Sequence, residues 1–527
     1  MSDQSNNNPA HLCRLLRVCA GVLLVPICCI AWELLRSDGS GSRLSAARLV
    51  TVAASLLVAL GLAGVLAGPD RWRSWISRHL LARLDWLGPR KPTAGHRLCW
   101  LAIIIAWSSF LVAVQRGAPL QDLETTDSAA FSRYASQAAD DGGPLALVGM
   151  LYRGEYAEAN QHPLLIGILS AVDKEAVSFQ LVTTGISLAG FILVTLLVIR
   201  LAGHQVGAVF AALLATNAGF GHLSLQVTCE CLLIPLVTLS WWQFQRWTEA
   251  DSKPSTWPVM IAGGVLLGLA YLAKGTGPIF LVGTLAWLLL ANCCSSRSRP
   301  DLTGDGSDFR QKHRRWQMAL VLLVAWMVTA SPLLARNMRM YGSPLYNVNS
   351  HFLFLDEFEN PSQVASRITI GKAAQEYLAS HTAGEMIRRE ASGLAWESFN
   401  LARLLGPHPL TDSRALPGIL LLMLALLGMG LHPGTGWRLI VCWLLLLFPL
   451  FAWYDPIVRS GERFLSPLIP ALLFYAAVAL GRLLSPNPAH TNSSPTRRNL
   501  LPLACIAWCL VWNGALWIHH TSQLASP

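Results

Sequence analysis

The stretch "WPVMIAGGVLLGLAYLAKGTGPIFLVGTLAWLLL" (Trp257–Leu290) carries a single charge, Lys274, between two apolar blocks. Each block approaches the length that crosses about 30 Å of hydrocarbon, roughly 20 helical residues. The pair therefore reads as two spans, 257–273 and 277–292, with Lys274 in the turn between them. Comparable blocks recur along the chain. They give about thirteen spans: 17–35, 46–68, 98–114, 178–200, 205–220, 224–244, 257–273, 277–292, 316–335, 416–431, 437–453, 464–483 and 499–518.

Composition agrees with this reading. The 527 residues are 53% hydrophobic and 13% charged, against about 25% charged in soluble proteins. Helices and closed barrels are the structures that satisfy the backbone in lipid, and no period-2 alternation points to a barrel. The expected fold is an all-α polytopic membrane protein. Its net charge of +10 is not a nucleic-acid footprint, because the basic residues gather in loops beside spans, as orientation signals do. The twelve cysteines lie in or beside apolar runs, and their spacing gives neither a disulfide framework nor a zinc site. Ahead of the first apolar run the N-terminus is basic like a signal peptide. The run is long and lacks a small-residue cleavage site, so it reads as a retained anchor.

Orientation follows from two basic loops. Residues 71–97 contain seven Arg or Lys (Arg71, Arg73, Arg78, Arg83, Arg90, Lys91, Arg97) against Asp85, and residues 297–315 contain a second cluster. With thirteen spans both fall on one side, and the positive-inside rule makes that side cytoplasmic. The expected location is the plasma (cell inner) membrane, with the N-terminus inside. Two long loops, about 115–177 and 336–415, then face outward. The first is acidic, and the second has the mixed spacing of helices lying along a membrane surface.

The unusual polar residues fall on this outer face. "LETTDSAAFSRY" (123–134) holds Asp127 and Tyr134, and "NQHPLL" (160–165) holds His162. Glu230 lies in "TCECLL" near the outer end of its span. Lys274 sits in an outer turn. "SPLLARNMRMYGSPLYN" (331–347) places Arg336 and Asn337 at another outer end, and "YDPIVRSGERFLSPLIP" (454–470) places Asp455, Arg459, Glu462 and Arg463 at a third. Each has a purely structural alternative. Asp127 caps the N-terminus of a helix, Lys274 snorkels, Arg336 suits a helix C-terminus, and Arg459 pairs with Glu462 one turn away. Together they suggest an extracytoplasmic pocket for an anionic head group beside a carboxylate. The chain contains no GxGxxG in a strand–helix setting, P-loop, HExxH, GxSxG or Asp-x-Asp pair.

Four motifs in this order, "DSAAFSRY", "HPLL", "GLAYLAKGTGPIFL" and "RNMRMYGSPLYN", resemble the membrane-embedded GT-C glycosyltransferases. The likeness is to the protein O-mannosyltransferase and lipid A aminoarabinose transferase group in particular. "ERFLSPLIPALLFY" looks like that group's arginine-then-proline span. The resemblance covers 98–483 as a catalytic core. It leaves 1–97 as a two-span extension and 484–527 as a linker and last span. It departs from the group where Ser128 follows Asp127, since many members carry a second acid there.

The resemblance implies transfer of a sugar from a polyprenyl-phosphate donor to a lipid, glycan or protein acceptor, with inversion and without a nucleotide cofactor. Asp127 is then the general base. Lys274, Arg336, Arg459 and Arg463 face the lipid phosphate, Tyr134 and His162 position sugar or acceptor, and Glu230 and Asn337 complete the pocket. A metal requirement stays open. Two other classes compete. A transporter or flippase of a lipid-linked or anionic substrate calls for mid-span charges and internal symmetry, whereas an O-antigen ligase or polymerase lacks the Asp-centred first loop.

Overall fold

The computed structural model describes residues 127–158, 160–249, 256–290, 307–408, 411–432, 434–458, 461–483 and 504–514, with part of 99–107. The expected spans 17–35 and 46–68 lie outside the described residues. Among these residues the protein is helical, without β-strands; one isolated bridge joins Asn217 and Pro407.

Residues 127–169 contain three short helices: α1 (Asp127–Asp140), α2 (Gly143–Arg153) and α3 (Pro163–Leu169). Phe131, Ala135 and Ala138 recur at helical spacing on α1 and are buried with Leu165, Ile166 and Leu169 of α3 in a small core of their own. That packing fixes α1 and leaves its first residue, Asp127, at the edge of the bundle.

The run α4 (Ala176–Ala215) is two helices that meet at Gly203, whose backbone is non-helical (φ 85°, ψ 171°), where the expected spans 178–200 and 205–220 are divided. An added Cβ at Gly207 would stand 2.3 Å from Ile199 Cγ1, so the chain folds back there. A short α5 (Ala218–Ser224) follows, capped by the Asn217 side chain, which accepts from the Phe220 N–H at 2.8 Å. Next come α6 (Glu230–Glu249), α7 (Thr256–Ala273), α8 (Gly277–Leu290) and α9 (Ser307–Tyr341). After α9 come a 3-10 segment, Val348–Phe354, then α10 (Pro361–Arg367), α11 (Ile370–Ser380) and α12 (Ala383–Leu405). The C-terminal part comprises α13 (Ala415–Leu431), α14 (Trp437–Val458), α15 (Ile469–Leu483) and α16 (Ala504–Gly514).

Six described segments are long and apolar enough to cross a membrane: Ser178–Ala215, Thr256–Ala273, His313–Tyr341, Asp412–Leu431, Trp437–Val458 and Ser466–Leu483. Small residues let such helices approach closely, the usual source of packing energy in lipid. At Gly264 an added Cβ would stand 2.4 Å from the Leu322 carbonyl oxygen of α9, so α7 and α9 touch backbone to backbone. The same holds where Gly393 of α12 meets Ala452 of α14, with 1.6 Å to the Ala452 carbonyl oxygen. α12 is thus no free surface helix. Its Ala395, Phe399 and Ala402 face is buried in the main core, against α13 and α14.

Candidate functional site

Four charged side chains from four distant segments meet beside one cavity. Glu230 opens α6 and is fully buried. Lys274 follows α7 in a tight turn, its N–H on Ala270 and its carbonyl accepting from Gly277 at 2.9 Å each. This turn aims Nζ at Glu230 Oε1, 2.5 Å away. Arg463 lies in the 3-10 turn Gly461–Phe464. Its Nη2 donates to Glu230 Oε2 at 3.1 Å, its Nε donates to Oε1, and its Nη1 donates to Asp127 Oδ2. Two carboxylates and two cations therefore balance, with Arg463 bridging the acids. A carboxylate as enclosed as Glu230 is tolerable when it is paired and hydrogen-bonded in this way.

The cavity, about 480 Å³, is lined by Asp127, His162, Lys274 and Arg463. One wall is amide-rich, with Asn160, Gln161, Asn347 and Asn349. Asn349 Nδ2 donates to Asn160 Oδ1 at 2.7 Å, and the Asn347 side chain accepts from the Asn349 N–H at 3.0 Å. Another part of the lining is aromatic. Phe451 and Phe464 stack with centroids 4.3 Å apart and planes at 2°, and Lys274 Nζ lies 5.0 Å from the Phe464 ring centre.

His162 lies 2.8 Å by Nδ1 from the Tyr271 carbonyl. A carbonyl only accepts, so Nδ1 carries the proton and Nε2 is an acceptor. Enclosure in the wall, reinforced by the charge of Arg336, pushes the imidazole down to about 3. His162 is therefore a neutral hydrogen-bonding group at ordinary pH.

The remaining sequence expectations land elsewhere. Arg336 is buried, but its Nη1 donates to the Glu158 carbonyl and its guanidinium lies 5.6 Å from the Tyr341 ring centre. It is not on the cavity lining. Asn337 Nδ2 reaches the Pro344 and Tyr346 carbonyls, both at 3.1 Å, and so fastens the chain that leaves α9. Tyr134 is also off the lining, with its ring beneath Arg133 at 4.9 Å. Burial, then Glu158, raises its hydroxyl above the ordinary tyrosine value. Arg459 lies outside the described residues. Glu462 pairs with Arg403, 3.3 Å away, and with Arg414.

Sequence reasoning overlooked the amide wall, although "NQHPLL" and "YNVNSHF" announce it as asparagines crowded at two span ends. It also overlooked Glu397, buried on α12 beside Asp455. Burial, then Asp455, pushes this carboxyl up to about 8. Among the described residues no group of three His, Cys, Asp or Glu side chains is placed to hold a metal ion.

Residues 161–301 match the family described as dolichyl-phosphate-mannose-protein mannosyltransferase. The matched segment holds His162, Glu230 and Lys274, and two of the four sequence motifs, "HPLL" and "GLAYLAKGTGPIFL". The likeness to this family covers less than half of the chain. No curated protein sequence matches it.

Among solved structures it is similar to the Archaeoglobus fulgidus oligosaccharyltransferase in the apo form (13% identity, TM-score 0.36, 79% of this chain and 55% of that one). It is also similar to the same organism's oligosaccharyltransferase AglB in complex with an inhibitory peptide and a dolichol-phosphate (14%, 0.36, 80% and 55%). A third is ArnT from Cupriavidus metallidurans (13%, 0.31, 73% and 77%). The chain spans just over half the length of the oligosaccharyltransferase.

Proposed function

We propose that this protein is an integral-membrane glycosyltransferase that moves a sugar from a polyprenyl-phosphate donor to an acceptor at the extracytoplasmic face. The observation that carries the reading is the meeting of Asp127, Glu230, Lys274 and Arg463 beside one cavity. Asp127 accepts the proton of an acceptor hydroxyl or amine. The acceptor atom bonds to the anomeric carbon from the face opposite the phosphate, and the bond from that carbon to the phosphate oxygen breaks. The electron pair leaves with the polyprenyl phosphate, and the configuration inverts. General-base assistance of this kind is worth about 10²–10⁴-fold.

Lys274 and Arg463 supply the cations for the leaving phosphate, Arg463 with a planar fork suited to two phosphate oxygens. Glu230 keeps both cations aimed at the cavity before the donor arrives. The neutral His162 and the amide wall supply hydrogen bonds to sugar hydroxyls without adding charge. The basic residues of 71–97 and 297–315 support a cavity on the outer side of the plasma membrane. Purified protein incubated with a panel of polyprenyl-phosphate sugars is expected to release polyprenyl phosphate from at least one, by transfer or slow hydrolysis. A complete lack of release across neutral, amino and acidic sugars overturns the reading.

A further inference from the structure

The turn that carries Arg463 is gripped on its far side. Glu462 and Arg463 are neighbours in one 3-10 turn and project in opposite directions, Arg463 to Asp127 and Glu230, and Glu462 to Arg414 and Arg403. Arg414 immediately precedes α13, and its side chain is only 2% exposed. Of its three guanidinium nitrogens, Nη2 donates to Glu462, whereas Nε and Nη1 have no hydrogen-bond partner among the described residues. A buried guanidinium with so little else to satisfy it depends on that one carboxylate. Arg403, near the end of α12, divides its fork between Glu462 and Asp412, at 3.3 and 3.0 Å.

We infer that Glu462, clasped by Arg414 and Arg403, is a positioning residue that sets where Arg463 presents its guanidinium to the phosphate of a polyprenyl-phosphate ligand. The inference rests on the proposed function. An arginine side chain is long and has many rotamers, and Arg463 already has two acids to choose between. The placement of its backbone therefore decides whether a cavity phosphate can take one arm of the fork. Glu462, one residue away, ties that backbone to α12 and α13, the two helices that pack on each other behind the site.

The test is a double-mutant cycle on the full chain in detergent, with undecaprenyl phosphate as the binding probe, because that lipid lacks a sugar and needs no knowledge of which sugar is carried. Glu462→Gln is expected to weaken binding about tenfold, and Arg463→Lys by a similar factor. In the Arg463→Lys background, Glu462→Gln is expected to add less than about twofold, since its target is gone. Arg414→Lys, which keeps the charge, is expected to retain most of the affinity that Arg414→Gln loses. If Glu462→Gln is not recovered folded, Arg403→Gln runs the same cycle with the Arg414–Glu462 pair intact.

Equal losses in both backgrounds, or an unchanged affinity, overturn the positioning role while leaving the glycosyltransferase reading in place. A wild-type protein that does not bind undecaprenyl phosphate overturns both.

Discussion

Arg463 Nη1 donates to the carboxylate of Asp127, a residue 336 positions earlier in the chain. The contact joins the start of α1 to the turn before α15 and places a cation on the group proposed as the base. Asp127→Asn keeps the size of the side chain and removes its ability to take a proton. Transfer is expected to fall by at least about 100-fold, while the protein still assembles, because Arg463 keeps Glu230 as a partner. Donor turnover and the unfolding temperature, measured on the same preparation, check this. Near-normal turnover removes Asp127 from the chemistry.

Glu230 has a different weight. It is fully buried and holds two cations, Lys274 and Arg463. Glu230→Ala leaves both facing each other without their shared carboxylate. Breaking a buried ion pair from one side costs about 3–5 kcal/mol. The expected result is a marked loss of folded protein, with Glu230→Gln intermediate because it preserves an acceptor. Thermal unfolding in detergent measures both. An alanine variant as stable as the parent makes the pairing energetically idle.

Glu230, Lys274 and Arg463 were legible in the sequence because each is a charge at the end of an apolar run, where lipid leaves few places to put it. Counting runs assigned them to one face, and the fold brings them together. Arg336 carries the same signature, yet its side chain turns to Glu158. The phase of a helix around its axis is decided by tertiary packing that a span count does not contain. The same limit hid Glu397, Arg403 and Arg414. The 383–405 segment looks amphipathic and surface-bound as a string, and only the approach of Gly393 to Ala452 buries one side of it. The boundary between the expected spans 178–200 and 205–220 was legible for a local reason, since the helix breaks at Gly203, whose backbone is non-helical.

Glu397 makes stability depend on pH. Its carboxyl has an ordinary value of 4.5, and burial, then Asp455, pushes it up to about 8. Between those values the folded protein holds a proton that the unfolded chain has released. Stability is therefore greatest below about pH 4.5 in this respect, and it declines as pH rises through the window toward about 8. Glu397→Gln, which is neutral throughout, is expected to flatten this decline. Unfolding temperatures of the parent and variant across the window provide the comparison. Parallel curves for the two proteins contradict the assignment.

Arg336 separates the sequence expectation from the geometry. As a phosphate ligand its loss weakens the donor; as a tie to the Glu158 carbonyl its loss loosens the segment between α2 and α3 instead. The side chain is 3% exposed and absent from the cavity lining, which favours the second outcome. Removing a charged donor from a buried carbonyl costs about 1–3 kcal/mol. Arg336→Ala is therefore expected to lower the unfolding temperature while the donor KM of the folded fraction stays within about twofold, well inside the tenfold that 1.4 kcal/mol of lost binding would produce. Measuring donor KM and unfolding on one sample decides it, since a large rise in KM at unchanged stability returns Arg336 to the phosphate site.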